Sequence, residues 1–396
     1  MHCSVLISGG GIGGMAAALA AAQASCRVRL FEKAPAFSDV GAGIQLGPNA
    51  TRVLHGLGLT SALKHAAAVP DTLTIRSSDT GSTLGTLRLG ADMLARYGAP
   101  YYTVHRADLH ALLLKALPKD GVAVKLSCTL QSVTQTLASV RVQTNTGQLI
   151  DGDVLVAADG LWSPLRAQLL GDGPPRLTGH LAYRALVLQG SLPPYLRSAN
   201  ITAWMGRNMH VVIYPVRAGQ ALNIVVIVHG KVSGDQASWN HSAHAADLKT
   251  HLLGCHGDLR ELLEHTDSSA WRLWTLHDRL LMQGAHQHAQ GRVALLGDAA
   301  HPMRPYLAQG ACMAIEDAEA LGHVLKNCPP QSVASALQRY AQARWQRNAR
   351  VQARALRNGE IFHADGPVRW GRDTAMKLLG GKLLDLPWLY GYRQTL

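Results

Sequence analysis

The sequence predicts an α/β chain with a Rossmann-like domain built from separate stretches, a β-rich second domain and a C-terminal helical segment. Three observations carry that prediction. The first 32 residues spell strand, glycine-rich turn, helix and strand. Two later strands, near residues 155 and 295, end in Asp-Gly and Gly-Asp turns, the second leading into a glycine-opened helix. Between them lies a long run of Val- and Ile-rich segments. At roughly 150 residues per domain, 396 residues suit two to three domains, and 47% hydrophobic residues supply their cores.

Residues Cys3 to Ser8 read as a buried strand, Gly9-Gly10-Gly11-Ile12-Gly13-Gly14 opens an alanine-rich helix, and a strand from Arg27 to Phe31 ends in Glu32. In a dinucleotide site Gly9 permits the tight turn, Gly11 lets the backbone approach a pyrophosphate, and Gly14 lets helix and strand pack closely. The helix N-terminus adds unpaired N–H groups and a partial positive charge. Glu32 lies 18 residues past Gly14, where a carboxylate can accept hydrogen bonds from an adenosine ribose and repel a 2′-phosphate. This segment alone leaves FAD and NAD both open.

Further segments follow the same logic. Val104 to Leu109 opens a helix running to about Leu117, which puts Arg106 near its positive end. Asp153 to Ala157 reads as a strand running into Ala158-Asp159-Gly160-Leu161-Trp162-Ser163-Pro164. Arg292 to Leu296 reads as another, ending in Gly297-Asp298, followed by a loop with Pro302 and Pro305 and a helix from Gly310 and Ala311 to about Asn327. An acid at a strand's carboxyl end before a glycine-opened helix marks the ligand edge of an open α/β sheet. Gly41 to Asn49 reads as a flexible loop before a helix.

From about Thr178 to Trp274 the pattern is β-rich, with turns at Pro193-Pro194, Arg217-Ala218-Gly219 and His229-Gly230. Met209 to Pro215 alternates so that His210, Val212 and Tyr214 share one face. The first and last Cα atoms would lie ~13 Å apart, leaving space for two side chains to bracket a small ring. The expected division is residues 1–75, 100–177 and 275–330 for the first domain, 76–99 and 178–274 for the second, and 331–396 for the helical segment.

Composition narrows the function. Lys and Arg number 38 against 26 Asp and Glu, a net charge of +12 that would draw a carboxylate-bearing ligand toward a cleft. Arg184 and Arg304 are candidates to grip its carboxylate in two-point fashion. The six cysteines have no CxxC spacing, so a reducing compartment, the cytoplasm, is expected. The longest apolar run near the N-terminus, Met15 to Ala22, falls well short of the ~20 residues of a membrane span. Arg344, Arg347, Arg350, Arg354 and Arg357 form one helical stripe, read as a solvated or inter-subunit face and compatible with a homodimer. No nucleic-acid module accompanies it, so no nucleic-acid partner is expected. His241, His244, His251 and His256, with Cys255, and the pair His286 and His288 lack paired metal-ligand spacing, and no metal is expected. No GxSxG nucleophile elbow appears.

The order of GGGIGG, HRADLH, ADGLWSPLR and GDAAHPMRPYLAQGACMAIEDA resembles the single-component flavoprotein aromatic hydroxylases over nearly the whole chain, a family that includes salicylate and para-hydroxybenzoate hydroxylases. The resemblance implies bound FAD, with NADH or NADPH and O2 as co-substrates and a small hydroxylated aromatic acid of salicylate or 3-hydroxybenzoate type as substrate. In that family reduced flavin adds O2 at C4a and the hydroperoxide's outer oxygen passes to a phenolate ring. Cofactor contacts are implied at Gly9, Gly11, Gly14, Glu32, Lys33, Gln45, Arg106, Asp159, Asp298, Gly310 and Ala311. Glu32 would meet the ribose, Arg106 the phosphate region and Asp298 the ribityl hydroxyls. The helix starting at Gly310 would stabilise negative charge on the reduced ring by fixed dipoles.

By the same resemblance His210 and Tyr214 deprotonate or orient the ring hydroxyl, an imidazole near pH 6.5 being a suitable base. Pro305 stands beside the substrate candidates Arg184 and Arg304. Gln45 departs from the 6-hydroxynicotinate 3-monooxygenases, which place a histidine there, and disfavours that decarboxylating alternative. Pro305 departs from a 3-hydroxybenzoate 6-hydroxylase with glutamine there, although the tail from Asn358 to His363 and from Trp388 to Tyr392 resembles that enzyme's ending. A flavin dehydrogenase or reductase without oxygen transfer would use the same motifs.

Overall fold

The structure is a computed structural model that describes residues 3–37, 42–230, 241–242, 248, 251–252 and 254–394. Gly41 and His244 lie outside them. A six-stranded sheet runs in the order Ala289–Gln290, Val293–Leu295, Val154–Ala157, Ser4–Ser8, Arg27–Phe31 and Val122–Lys125. Every neighbouring pair except the first is parallel. Parallel strands are covered on both faces, which is why their sequences are nearly continuous apolar runs. On one face Val5, Ile7, Val154 and Val156 pack under helices Ile12–Gln23 and Gly310–Leu325. On the other, Leu6, Leu155 and Leu295 meet Leu130, Val140 and Val142 of a small antiparallel sheet.

The alanines of the first helix have a packing reason. Ala17, Ala18 and Ala21 are fully buried, and a Cβ added to Gly322 would lie 3.0 Å from Ala20 Cβ, so the two helices approach too closely for large side chains. Two glycines are fixed by the turn before that helix. Gly9 has φ +98°, and a side chain there would meet the Ala158 carbonyl oxygen at 2.4 Å. A Cβ on Gly14 would sit 1.9 Å from the Gly9 carbonyl oxygen.

An eight-stranded sheet runs His241–Ser242, Arg272–Asp278, Arg176–Leu188, Ala221–His229, Met209–Val216, Ile201–Gly206, Thr72–Ser77 and Thr83–Arg88. One face buries Tyr183, Val211, Ile213, Ile224 and Val226 against Leu259, Leu263 and Trp271. The opposite face carries the candidate substrate residues. Helix Val333–Phe362 runs from the first sheet to this face, and further helices close the described C-terminus. No helix among the described residues is long and apolar enough to cross a membrane. All six cysteines are free.

Two expectations are corrected. The segment read as a flexible loop from Gly41 to Asn49 contains a strand, Gly43–Leu46, paired antiparallel with Tyr102–His105. Glycine content misled there, because Gly43 is small to let Tyr214 and Asn223 lie against it, with the Tyr214 ring 2.6 Å from where its Cβ would be. The arginine stripe is not a solvated face at its start. Arg344 is fully buried and Arg347 is 9% exposed, both paired with Glu316, while Arg350 stacks over Trp388 at 4.1 Å. Helical period identifies a common face but not what covers it.

Candidate active site

Parallel pairing brings three strand ends to one edge. Ala158 N–H donates to the Ser8 carbonyl and Leu296 N–H to the Ala157 carbonyl, so Gly9, Asp159 and Gly297-Asp298 are neighbours there. Helix Ile12–Gln23 starts at that edge with no side-chain cap and no acid in its first turn. The space beside Gly11 is open, with nothing within 4 Å of an added Cβ. Glu32 ends its strand with Oε2 accepting from Gly10 N–H at 2.7 Å and Oε1 from Ala34 N–H at 2.9 Å. Both Asp159 oxygens are buried and make no well-formed hydrogen bond, and burial pushes this carboxyl up to about 6, opposed by the Ser163 hydroxyl, the backbone amides of Asp159 and Leu165, and Lys33. Buried polar atoms are nearly always well paired, so a poorly satisfied carboxylate beside an uncapped helix and an open glycine fits a group with both phosphates and hydroxyls. A dinucleotide cofactor such as FAD has both.

Asp298 is exposed on the same edge, and its Oδ1 lies 3.9 Å from where a Gly310 Cβ would be. Helix Gly310–Leu325 also starts without a side-chain cap, leaving the amides around Gly310 and Ala311 for an acceptor. A buried ionic network fixes that helix. Glu316 accepts from Arg344, Arg347 and Asn49, and Asp317 accepts from Arg344, Asn348, the Gly297 N–H and His301 Nε2, the last at 2.5 Å. Although desolvation opposes it, these cations hold Asp317 well below the usual carboxylate range, and Glu316 is lowered too. Arg106 stands exposed at the first turn of helix Arg106–Ala116, where its N–H donates to the Ala42 carbonyl. Gln45 is buried and accepts from the Tyr101 hydroxyl at 2.8 Å.

The eight-stranded sheet builds the second half in register. Ala182, Ile227 and His210 form one row across three strands, Arg184, Val225 and Val212 the next, and Leu186, Asn223 and Tyr214 the third. Side chains alternate across a sheet, so these rows share a face. Ala182, Val225 and Ile227 make an apolar floor under Tyr306, whose hydroxyl is buried and unpartnered. Arg184 is half-buried, its Nε is buried without a hydrogen-bond partner and its guanidinium lies 4.8 Å over Trp274. Arg304 is instead committed to Asp278 at 2.9 Å, and Pro305 opens the short turn that carries Tyr306.

The structure thus joins His210 and Tyr214 on one face but gives them different partners. Tyr214 donates to the Gly43 carbonyl at 2.6 Å, while Asn223 Oδ1 accepts from Gly43 N–H at 2.6 Å. His210 Nδ1 contacts His363 Nε2 at 2.8 Å. The expected free-imidazole behaviour of His210 is corrected: burial pulls it down to about 3, because a charged ring has lost its water. It is a neutral imidazole with Nε2 available to a ligand. Sequence reading missed His180, His229, His363 and Tyr306. The first two alternate onto the substrate face of their strands, and that period was the signal available.

An uncapped dinucleotide cradle joined to an antiparallel sheet with an apolar, partly charged face defines a flavin-binding enzyme of the aromatic hydroxylase fold. The model of the FAD binding domain family matches residues 2–355, and the chain belongs to that family of flavoproteins. It is 35% identical over 397 residues to the 3-hydroxybenzoate 6-hydroxylase of Klebsiella oxytoca, covering 98% of this chain and 96% of that one. Among solved structures, a salicylate hydroxylase substrate complex superposes with TM-score 0.84 at 26% identity, covering 99% and 96% of the two chains. HpxO of Klebsiella pneumoniae, complexed with FAD and uric acid, does so with TM-score 0.85 at 25% identity, covering 96% and 94%.

Proposed function

We propose that the chain is an FAD-dependent monooxygenase that uses NADH or NADPH and O2 to hydroxylate a small hydroxylated aromatic acid of the 3-hydroxybenzoate or salicylate type. The observation that carries this reading is the apolar floor of Ala182, Val225 and Ile227, flanked by the Arg184 guanidinium, whose Nε has no hydrogen-bond partner, and the neutral His210 imidazole. A ring fits the floor, a carboxylate fits the cation, and a phenolic hydroxyl fits the imidazole.

When bound, FAD supplies electron transfer from the nicotinamide and the activated oxygen that attacks the ring. Gly9, Gly11 and Gly14 would shape its pyrophosphate cradle, Glu32 and Lys33 would hold its adenosine side, and Asp159 and Asp298 would bind its hydroxyl-bearing parts. Arg106 would pair with the phosphates, Gln45 would line the ring side, and the amides at Gly310 and Ala311 would offer fixed dipoles to negative charge on the ring. His210 accepts the ring hydroxyl's hydrogen bond at Nε2, which raises electron density in the ring. Tyr214 keeps Gly43 and its strand against the sheet, and Tyr306 shields the floor from water.

A homodimer in the cytoplasm completes the proposal. Its support is the set of free cysteines and the exposed Val368, Trp370 and Leu378 of helix Gly366–Leu379. The test is a screen of hydroxybenzoates for stimulated NADH and NADPH oxidation with product analysis. A hydroxylated product from at least one of them supports the reading, and oxidation that no aromatic acid stimulates removes it.

A further inference from the structure

We propose that His180, His229 and His363 form a binding site for a divalent transition metal of the zinc class, at the end of the sheet face that also carries His210. His180 Nε2 lies 3.0 Å from His229 Nε2, which lies 3.0 Å from His363 Nδ1, and the three ligand atoms are all within 4.8 Å of one another. Tetrahedral zinc, with bonds of about 2.0–2.1 Å, separates its nitrogens by about 3.3 Å. To admit an ion the two close contacts would open by about 0.3 Å and the third pair, within 4.8 Å, would settle to the same separation.

Hydrogen bonding alone serves this arrangement poorly. A neutral imidazole has one N–H and one lone pair. His229 Nε2 faces two nitrogens at once, so it either splits one hydrogen between two acceptors or offers one lone pair to two donors. A cation takes all three lone pairs. His229 is exposed and His180 half-buried, so an ion has a way in and water can take a fourth position. Three imidazoles suit zinc, copper or nickel ahead of calcium or magnesium.

The site would reach His210 through His363. A metal on His363 Nδ1 requires the hydrogen on Nε2, which then donates to His210 Nδ1 across their 2.8 Å contact. His210 is left with its own hydrogen on Nε2 and becomes a donor rather than an acceptor. That consequence, unlike the site itself, rests on the catalytic reading proposed above.

The test is to dialyse the FAD-loaded protein against Zn2+, count metal per chain by elemental analysis, and titrate Co2+ while reading its visible absorption against a flavin-matched blank. One zinc per chain and a tetrahedral Co2+ spectrum are expected, with binding weakened by about 100-fold or more in His180→Ala and His229→Ala. His229→Gln keeps a polar side chain of similar length, and should lose the metal while retaining FAD, which separates ligand loss from misfolding. A wild-type protein that takes up no zinc, or alanine variants that bind it as tightly as wild type, overturns the site. Zinc that binds as expected without slowing substrate-stimulated NADH oxidation supports the site and counts only against the role of His210.

Discussion

Two histidine clusters in this chain differ in one ingredient. Beneath the cofactor edge, His288, His301 and Asp317 are fully buried, and Asp317 is held by Arg344, Asn348 and the Gly297 N–H. On the substrate face, His180, His229, His363 and His210 contact one another without a carboxylate in the hydrogen-bonded chain. The first cluster has a hydrogen-bonding partner for each Asp317 oxygen and holds a helix in place, leaving only His301 Nδ1 without a partner among its ligating atoms. The second leaves His180 Nδ1, the Tyr306 hydroxyl and the Arg184 Nε in want of partners. A network closed on a fully paired carboxylate keeps structure rigid, whereas one built of imidazoles alone leaves lone pairs that a ligand can complete.

Removing the carboxylate should produce the largest effect. Asp317→Ala leaves the two buried arginines, Arg344 and Arg347, to share Glu316 alone and should cost about 3–5 kcal/mol of stability, read from urea unfolding of the FAD-loaded protein. A loss below about 1 kcal/mol would mean the network is not what fixes helix Gly310–Leu325. In the other cluster the effect should fall on rate. His210→Ala should keep FAD, slow hydroxylation on the order of 100-fold and divert reducing equivalents to hydrogen peroxide. Unchanged coupling of NADH use to product would remove His210 from the reaction.

Arg184→Met tests the same face with a smaller change. Deleting a charge-assisted carboxylate contact should raise KM by about 10–100-fold while leaving the unfolding midpoint nearly unmoved. Equal KM values in variant and wild type would place the carboxylate elsewhere. The smallest effect is in pH. The folded values of Asp317 and Glu316 lie below their ordinary 3.8 and 4.5, so their stabilisation is complete above those values and is lost as pH falls through the folded ones. The melting temperature should hold from neutrality to about pH 5 and drop below about 4, more gently in Asp317→Asn. Identical acid limbs would exclude this pair as the cause.

The same contrast explains what could be read from the chain. The cofactor edge was legible because its determinants are local: Gly9, Gly11 and Gly14 lie within one turn, and Asp159 and Asp298 each end a strand. The alternation from Met209 to Pro215 placed His210 and Tyr214 on one face for the same reason. His180, His229 and His363 are separated by 49 and 134 residues along the contacts they make, and only strand register and the end of a long helix bring them together. The arginine stripe kept its period but hid its partners, because Glu316 and Asp317 sit on another helix. Strand Gly43–Leu46 was obscured by glycine needed for packing against Tyr214 rather than for freedom.

The most direct test of the central claim is stoichiometry: NAD(P)H, O2 and product counted together on the FAD-loaded protein with a hydroxybenzoate that stimulates it. The account predicts one NAD(P)H and one O2 consumed for each hydroxylated ring. Equal NAD(P)H oxidation under nitrogen with another electron acceptor, and no hydroxylated product in air, would contradict it.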